Sequence, residues 1–218
     1  MFLEKIQKIM RYLYWSIIPI LLVTIGLAIA FYPEPYKFFQ EFLSDLGGVN
    51  SIKNSFVNKT SSIIFSIGFS LCAAIGATLA ILYFIKDLRY KYLKGILCIF
   101  ITIGAALTCV PHDLGNTLIL HTVGACIFIG AFGILNFVLQ MLRFIQKHQK
   151  VPEKRKIDFY SDLSIVVLVF IVVLTLVTVF IPFAINENPT FELLSIIFQK
   201  LVIIVDCLAL IVLDLDDI

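Results

Sequence analysis

Six apolar stretches, each about twenty residues long, dominate this sequence and restrict what it can fold into. They cover residues 13–32, 61–85, 93–110, 118–142, 163–185 and 193–213. A helix needs about 20 mainly apolar residues to cross a bilayer core about 30 Å thick. Lipid offers no partners to unpaired backbone groups, and these stretches lack the alternation of barrel strands. The sequence therefore predicts an all-α polytopic membrane protein, a bundle of six transmembrane helices that forms one domain over residues 1–218.

The composition agrees with a chain that is embedded in lipid. Of the 218 residues, 60% are hydrophobic and 15% are charged, whereas a soluble domain is about half apolar. The net charge of +2 is too small to indicate nucleic-acid binding. All five cysteines fall inside the predicted helices without the close spacing of a metal or redox motif, so we interpret them as small hydrophobic residues. The sequence predicts no cofactor.

The basic residues orient the predicted bundle. Thirteen lysines and arginines lie at the N-terminus or in the connections after the second and fourth helices, against three in the connection at 33–60. Under the positive-inside rule, both termini are therefore predicted to be cytoplasmic. The connections at 33–60 and 109–117 would then face outward.

Small residues predict how the helices pack. The glycine–alanine pairs at 104–105 in the third helix and 124–125 in the fourth helix let neighbouring helices approach closely. The fifth helix is rich in Val, Ile, Leu and Phe and is predicted to face lipid. Apolar residues between 38 and 43 give the first outer connection a hydrophobic side, which predicts a short interfacial helix that ends at the glycine pair 47–48.

Polar motifs fall at the predicted outer end of the bundle. Ser44 and Asp45 lie in the connection at 33–60, and His112 and Asp113 lie in the hinge between the third and fourth helices. His121 follows inside the fourth apolar stretch. A histidine at membrane depth is expected to face the bundle interior or a wet cavity and to have a partner. The candidate partners of His121 are Ser44, Asp45, Asn54 and Asp113.

The fourth helix is expected to begin near Asp113. Asp113, Thr117 and His121 then lie at four-residue steps and share one face. At 1.5 Å per residue, His121 would lie roughly 12 Å deeper than Asp113. Each polar residue alone also fits a structural role, such as a helix N-cap or a turn. Their convergence on one end of an apolar bundle favours a functional site.

The candidate site residues form two groups. The candidate catalytic residues are Ser44, Asp45, His112, Asp113 and His121. The candidates for a lipid head-group contact or a polar lining are Asn54, Asn116 and Thr117. Both groups belong to the predicted outer end of the bundle, so they predict one site there.

Several chemistries fit these residue types. Nucleophilic acyl chemistry needs Ser44 or Cys109 within hydrogen-bond reach of a histidine that an acid orients, and the sequence has no Gly-x-Ser-x-Gly elbow. A metal is an alternative that no recognised spacing favours. Its ligands would be His112, His121, Asp45 and Asp113. A lipid head-group site requires the fewest features of the three, since it needs only a polar cluster at the membrane interface.

The last helix carries a second polar feature. Gln199 and Asp206 are seven residues apart and share a face. An acid at membrane depth is a functional candidate, here for the movement of protons or cations. The alternative is a buried hydrogen bond to Asn136 or Gln140 in the fourth helix. The sequence leaves both readings open.

The polar motifs carry a family resemblance. They are Ser44-Asp-Leu-Gly47 with Asn54 and Phe56 behind it, Pro111-His-Asp113, and His121-Thr-Val-Gly-Ala125. With them the chain resembles a prokaryotic membrane family known only as a domain of unknown function. That family is similar in layout to the eukaryotic DRAM-like proteins, which include autophagy modulators and factors that remodel lipid anchors. The resemblance implies a six-helix protein of a prokaryotic cell membrane whose outward polar site handles lipid.

The leading hypothesis is an integral membrane protein whose polar site binds or modifies membrane lipid. In its enzymatic form it is a lipid acyltransferase or hydrolase, with either histidine of the site as the base and either acid orienting it. The first alternative is a small proton- or ion-coupled transporter that uses Asp206 and His121. The second alternative is a non-catalytic membrane scaffold whose polar cluster only holds the outer connection on the bundle. The oligomeric state is not predicted.

Overall fold

The protein is a bundle of long helices. A computed structural model describes residues 2–50, 56–150, 156–186 and 189–213. Its six α-helices are α1 (Phe2–Ala30), α2 (Lys59–Ile85), α3 (Lys91–Thr108), α4 (Leu118–Lys150), α5 (Lys156–Asn186) and α6 (Pro189–Ile211). Each is long and apolar enough to cross a membrane by length and composition. The predicted bundle of six transmembrane helices is therefore confirmed.

Contacts between neighbouring helices show that the chain reverses direction between α3 and α4 and between α4 and α5. His121 near the start of α4 contacts Val110 just beyond the end of α3. Asp162 near the start of α5 pairs with Arg143 and Lys147 near the end of α4. We call the end of the bundle that carries the connections at 31–58 and 109–117 the histidine end. Whether that end faces outward is still a prediction.

Helices α3 and α4 pack with their backbones in close approach. A Cβ atom added at Gly104 would lie 2.7 Å from the Cα atom of Phe128. One added at Gly124 would lie 2.8 Å from the backbone of Leu107 and Thr108. Only glycine leaves room for such an approach, so the close packing predicted from these small residues is confirmed.

Helix α1 closes the bundle by contacts on two sides. The Tyr14 hydroxyl lies 2.9 Å from the Tyr83 hydroxyl of α2, where both side chains are buried. The indole of Trp15 donates a hydrogen bond to the carbonyl of Leu210 on α6 at 3.0 Å. Helix α5 lies at the periphery, since 28% of its apolar segment is buried, against 50% for α6. Helix α1 is buried to the same extent as α5, and the lipid-facing position of α5 stays a prediction.

The connection between α1 and α2 contains a short 3-10 helix, Leu43–Gly47. Leu43 and Leu46 are buried, so its apolar side faces the bundle. The helix ends at the glycine pair, as the sequence predicts. It begins later than the apolar pattern suggests, because Phe38 and Phe39 precede it in a turn and remain exposed.

Helix α4 begins at Leu118, so the expectation that it begins near Asp113 is wrong. Residues 115–117 form a separate 3-10 helix, in which Gly115 has a φ of 62°. This positive φ suits glycine and turns the chain away from a continuous α-helix. The shared helical face predicted for Asp113, Thr117 and His121 therefore does not form.

Candidate functional site

The short helix Leu43–Gly47 is fixed to the start of α2 by side-chain hydrogen bonds. The amide of Asn58 donates to the carbonyls of Leu46 at 3.2 Å and Gly48 at 2.9 Å. Ser61 also donates to the Leu46 carbonyl, at 3.0 Å, and Ser62 donates to the carbonyl of the intervening residue at 2.7 Å. These donors satisfy carbonyls that are left open where the short helix ends. The helix therefore has a defined position on the bundle.

Asp113 ties the hinge between α3 and α4 to the same connection. Its carboxylate accepts hydrogen bonds from the backbone amides of Val49, at 2.8 Å, and Asn50. Partial burial raises the pKa of Asp113. The hydrogen bonds from the two backbone amides lower it by more, so that the pKa is below the ordinary value. These contacts give Asp113 a structural part in holding the site together.

Replacing Asp113 with alanine is expected to destabilise the fold by about 1 to 2 kcal/mol at pH 7, because two charge-assisted hydrogen bonds are lost from a partly solvated carboxylate. Since folding lowers its pKa, this stability is fully present above the unfolded pKa of about 3.9 and is lost as pH falls through the folded pKa. Thermal unfolding of the purified protein and of Asp113→Ala between pH 7 and pH 3 measures the difference. Asp113→Asn is the matched control, with no titrating carboxylate. A difference between wild type and Asp113→Ala that stays constant down to pH 3 would contradict this role.

The two histidines lie side by side beneath the connection. Their ring centroids are 5.4 Å apart in an edge-to-face arrangement. His121 is 1% exposed and His112 is 5% exposed. The Nδ1 atom of His121 lies 2.7 Å from the carbonyl oxygen of Val110, so its partner is a backbone group. None of the four predicted side-chain partners takes that place among the described residues.

One nitrogen of each ring has no hydrogen-bond partner in the part of the chain that the structure describes. These atoms are Nε2 of His121 and Nδ1 of His112, and both are buried. A buried polar atom without a partner costs free energy. The arrangement therefore leaves two buried ring nitrogens without a partner among the described residues.

The glycine pair of the connection makes room for these rings. A Cβ atom added at Gly48 would lie 2.5 Å from the Cε1 atom of His112. One added at Gly47 would lie 2.9 Å from the Phe65 ring and 3.4 Å from His121. The sequence analysis used these glycines only as a helix stop, although the pair next to Ser44 and Asp45 also indicates a close approach of the backbone.

Helix α6 holds the connection from the other side. The side-chain carbonyl of Gln199 accepts a hydrogen bond from the amide of Leu43 at 3.1 Å. Lys200 is 4% exposed, and its ammonium donates to the carbonyl of Glu41 at 2.6 Å. It also lies 5.1 Å from the ring centre of Phe38. The sequence analysis did not predict this role of Lys200. A lysine within an apolar helix could have indicated a buried partner for its ammonium.

A cavity of about 470 Å³ lies beside the histidines, between α4, α5, α6 and the short helix. Its polar lining consists of Ser44, Asp45, His112, His121, Thr122 and Gln199. Its other walls are mainly apolar side chains of α4 and α5, among them Ile129, Leu176 and Phe180. The cavity is thus polar at the histidine end and apolar along its length.

The structure brings four of the five predicted catalytic residues together at the cavity. Ser44, Asp45, His112 and His121 line the cavity, whereas Asp113 is not part of its lining. Among the predicted polar lining, Asn116 is exposed, and Thr117 donates to the carbonyls of Pro111 and Leu114. Asn54 lies outside the described residues.

The contacts do not assemble a nucleophile–histidine–acid triad. Within the described residues, neither histidine is hydrogen-bonded to Ser44 or to an acid. Asp45 accepts a hydrogen bond from the amide of Phe42 at 2.9 Å, which caps its own short helix. The thiol of Cys109 contacts Ser70 at 3.3 Å and the Ala105 carbonyl at 3.1 Å. The described ranges also contain no group of three His, Cys, Asp or Glu side chains that could hold a metal ion.

Asp206 is buried apart from this cavity. It is 1% exposed, and neither carboxylate oxygen has a hydrogen-bond partner among the described residues. Gln140 donates instead to the carbonyl of Ala209 at 2.6 Å, and Asn136 donates within its own helix. The hydrogen bond to Asp206 that we considered for these two residues is therefore not formed. Gln199 lines the cavity, but Asp206 does not.

No protein-family model matches this chain, and neither a curated protein nor a solved structure matches it. The family resemblance of its polar motifs is therefore still a prediction. Its six apolar helices are those of a multi-pass integral membrane protein. Its candidate site is the amphipathic cavity at the histidine end.

Proposed function

We propose that the protein binds a single-chain membrane lipid or similar amphiphile in the cavity at the histidine end. The apolar chain would lie between α4 and α5, and the head group would lie near the histidines. The observation that carries this proposal is the amphipathic cavity of about 470 Å³. Its volume falls in the range of about 300 to 1,000 Å³ that is typical of small-molecule sites.

The position of the cavity supports a ligand that enters from the membrane. Leu118 and Val177 belong to its lining and are 53% and 43% exposed. Both residues lie in helices that are apolar enough to span a membrane. An amphiphile could therefore pass from the bilayer into the cavity without exposing its chain to water.

The enzyme, scaffold and transporter alternatives each require a feature that the described residues do not form. A hydrolase or acyltransferase needs an activated nucleophile, and Ser44 makes no described hydrogen bond to a histidine. A scaffold needs a closed polar cluster, but one nitrogen of each histidine ring has no partner among the described residues, and a cavity lies beside the rings. A transporter that uses His121 and Asp206 would need a path between them, but His121 lines the cavity and Asp206 does not. Lipid binding needs only the geometry described.

Gly130 supplies the test, because it lines the cavity and a Cβ atom added there would meet nothing within 4 Å. Gly130→Leu is expected to place its side chain in the ligand volume without a backbone clash. It should weaken lipid binding by about tenfold or more, which is about 1.4 kcal/mol. Native mass spectrometry of the protein released from its membrane measures the bound lipid.

Gly26→Leu is the matched control, since Gly26 lies in α1, is exposed and also has open space around its added Cβ atom. It is expected to retain the bound lipid of the wild type. Equal lipid occupancy in Gly130→Leu and Gly26→Leu, with both variants folded, would show that the cavity is not the binding site.

A further inference from the structure

The cavity of the proposed site runs along α4, away from the histidine end. Its lining residues on α4 recur at three- and four-residue steps, which is the spacing of one helical face. Thr122 carries the deepest hydroxyl on that face, and Gly130 is the deepest residue of the lining on α4. At 1.5 Å per residue, the apolar part between these two residues is about 12 Å deep.

Helix α5 forms the opposite wall and runs antiparallel to α4. Leu176 and Phe180 belong to the lining. Deeper along α5, the ring of Phe170 contacts that of Phe137 on α4, with their centroids 5.4 Å apart. Still deeper, Asp162 forms the ion pairs with α4 that are described above. The two helices are therefore in contact below the cavity and are separated where the cavity begins.

The contact between Gly133 and Val173 closes the deep end of the cavity. Gly133 follows Gly130 by three residues on α4, and Val173 precedes Leu176 by three residues on α5. A Cβ atom added at Gly133 would lie 2.5 Å from the Cγ2 atom of Val173 and 3.5 Å from Oδ2 of Asp206 on α6. These three residues lie outside the lining. Helices α4, α5 and α6 thus meet at this level and form a floor.

This floor limits the length of chain that the cavity holds. It lies between the level of Gly130, about 12 Å below Thr122, and the level of Gly133, about 16 Å below it. An extended chain of tetrahedral atoms advances roughly 1.2 Å per bond, since three bonds of a polypeptide span up to about 3.6 Å. These depths correspond to a straight chain of roughly 10 to 14 carbons.

Packing favours a chain of this length. A lipid that enters from the bilayer leaves an apolar environment, so burial of its chain gains little from the hydrophobic effect. A shorter chain leaves a void at the floor, where the lining atoms lose dispersion contacts. A longer chain must separate Gly133 from Val173 and then meets the carboxylate of Asp206, or it must bend out of the cavity. Both departures from the matching length weaken binding.

From these observations we infer that the cavity selects single-chain lipids with chains of about 10 to 14 carbons. The floor formed by Gly133 and Val173 sets this length. The inference rests on the proposed function, because it concerns the ligand of the same cavity. It adds a class of acyl chain to the amphiphile and does not depend on the head group.

A mixture of lipids that differ only in chain length tests the inference. The purified full-length protein is placed in phosphatidylcholine nanodiscs with saturated monoacylglycerols and lysophosphatidylcholines, each from octanoyl to stearoyl in equal amounts. Native mass spectrometry identifies the bound lipid by its mass, including any lipid kept from the native membrane. Occupancy is divided by the mole fraction of each lipid in the nanodisc. For the head group that binds, lauroyl is expected to exceed octanoyl and stearoyl by about tenfold.

Two substitutions move the floor in opposite directions. Gly130→Val raises it, and an added Cβ atom there meets nothing within 4 Å, so the variant should fold. Its preferred chain is expected to shorten from lauroyl to decanoyl or less. Val173→Ala lowers the floor and should shift the preference to myristoyl or palmitoyl. Gly26→Val, at an exposed position of α1 with open space, is the matched control and should keep the wild-type order.

The outcomes separate the inference from the proposed function. Folded protein that binds none of the added lipids and keeps no single-chain lipid from its membrane would overturn the proposed function. Bound single-chain lipid with equal occupancy at all lengths, or with the highest occupancy for stearoyl, would overturn the chain-length inference alone. A wild-type preference that stays unchanged in Gly130→Val would place the floor elsewhere and would also overturn the inference, even if Val173→Ala fails to fold.

Discussion

Replacing Gly124 with alanine is expected to separate α3 from α4 and to destabilise the bundle by about 3 kcal/mol, the upper range for overpacking. The added methyl group would lie 2.8 Å from backbone atoms of Leu107 and Thr108, which cannot rotate away as a side chain can. The two helices would have to move apart along the seam that ends at Val110. Because Val110 holds His121, the histidine end should lose its geometry together with stability.

Gly130 provides the control for this substitution on the same helix. An added Cβ atom there meets nothing within 4 Å, so Gly130→Ala should unfold at the temperature of the wild type or slightly above it. Thermal unfolding of both variants in the same detergent, followed by circular dichroism, gives the comparison. Equal unfolding temperatures for Gly124→Ala and Gly130→Ala would contradict the close approach of α3 and α4.

Asp206→Leu is expected to stabilise the protein by about 1 to 3 kcal/mol, because it removes a buried polar group without a partner. Leucine has the same branching as aspartate. A Cβ atom added at Gly133 would lie 3.5 Å from Asp206 Oδ2 and 2.5 Å from Val173, so Asp206 lies near apolar groups of α4 and α5. The carboxylate is 1% exposed and has no hydrogen-bond partner within the described residues. Its replacement therefore loses no described contact.

Gln140→Leu is the matched control, because Gln140 is as buried as Asp206 but donates a 2.6 Å hydrogen bond to the Ala209 carbonyl. That variant should lose about 1 kcal/mol of stability, the usual net contribution of such a bond. Thermal unfolding under identical conditions compares the two. If Asp206→Leu loses as much stability as Gln140→Leu, Asp206 has a bound partner in the folded protein, and the transporter alternative gains support.

The membrane fold was predictable from sequence because its signal is strong and local. Twenty consecutive apolar residues leave few alternatives to a spanning helix, and all six predicted stretches lie within observed helices apart from their ends. The glycines of α3 and α4 likewise predicted close packing, since a missing side chain directly permits a close approach. Both inferences depend on residues that are near each other in the chain.

The details of the site were less predictable because they depend on contacts between distant residues. The start of α4 was misplaced, since the carboxylate of Asp113 binds amides more than 60 residues away in the chain instead of capping its own helix. Lys200 reaches the Glu41 carbonyl across a separation of 159 residues. The cavity itself depends on where side chains of α4 and α5 fail to fill space, which no short motif encodes.

The most direct test of the lipid-binding account is an electron cryomicroscopy structure of the protein in nanodiscs made from its native membrane. We expect chain-shaped density between α4 and α5, with its head group beside His112 and His121. The same density should be absent from Gly130→Leu and present in Gly26→Leu. A wild-type structure in which α4 and α5 close on an empty cavity, with the two histidines paired to protein groups alone, would contradict the account.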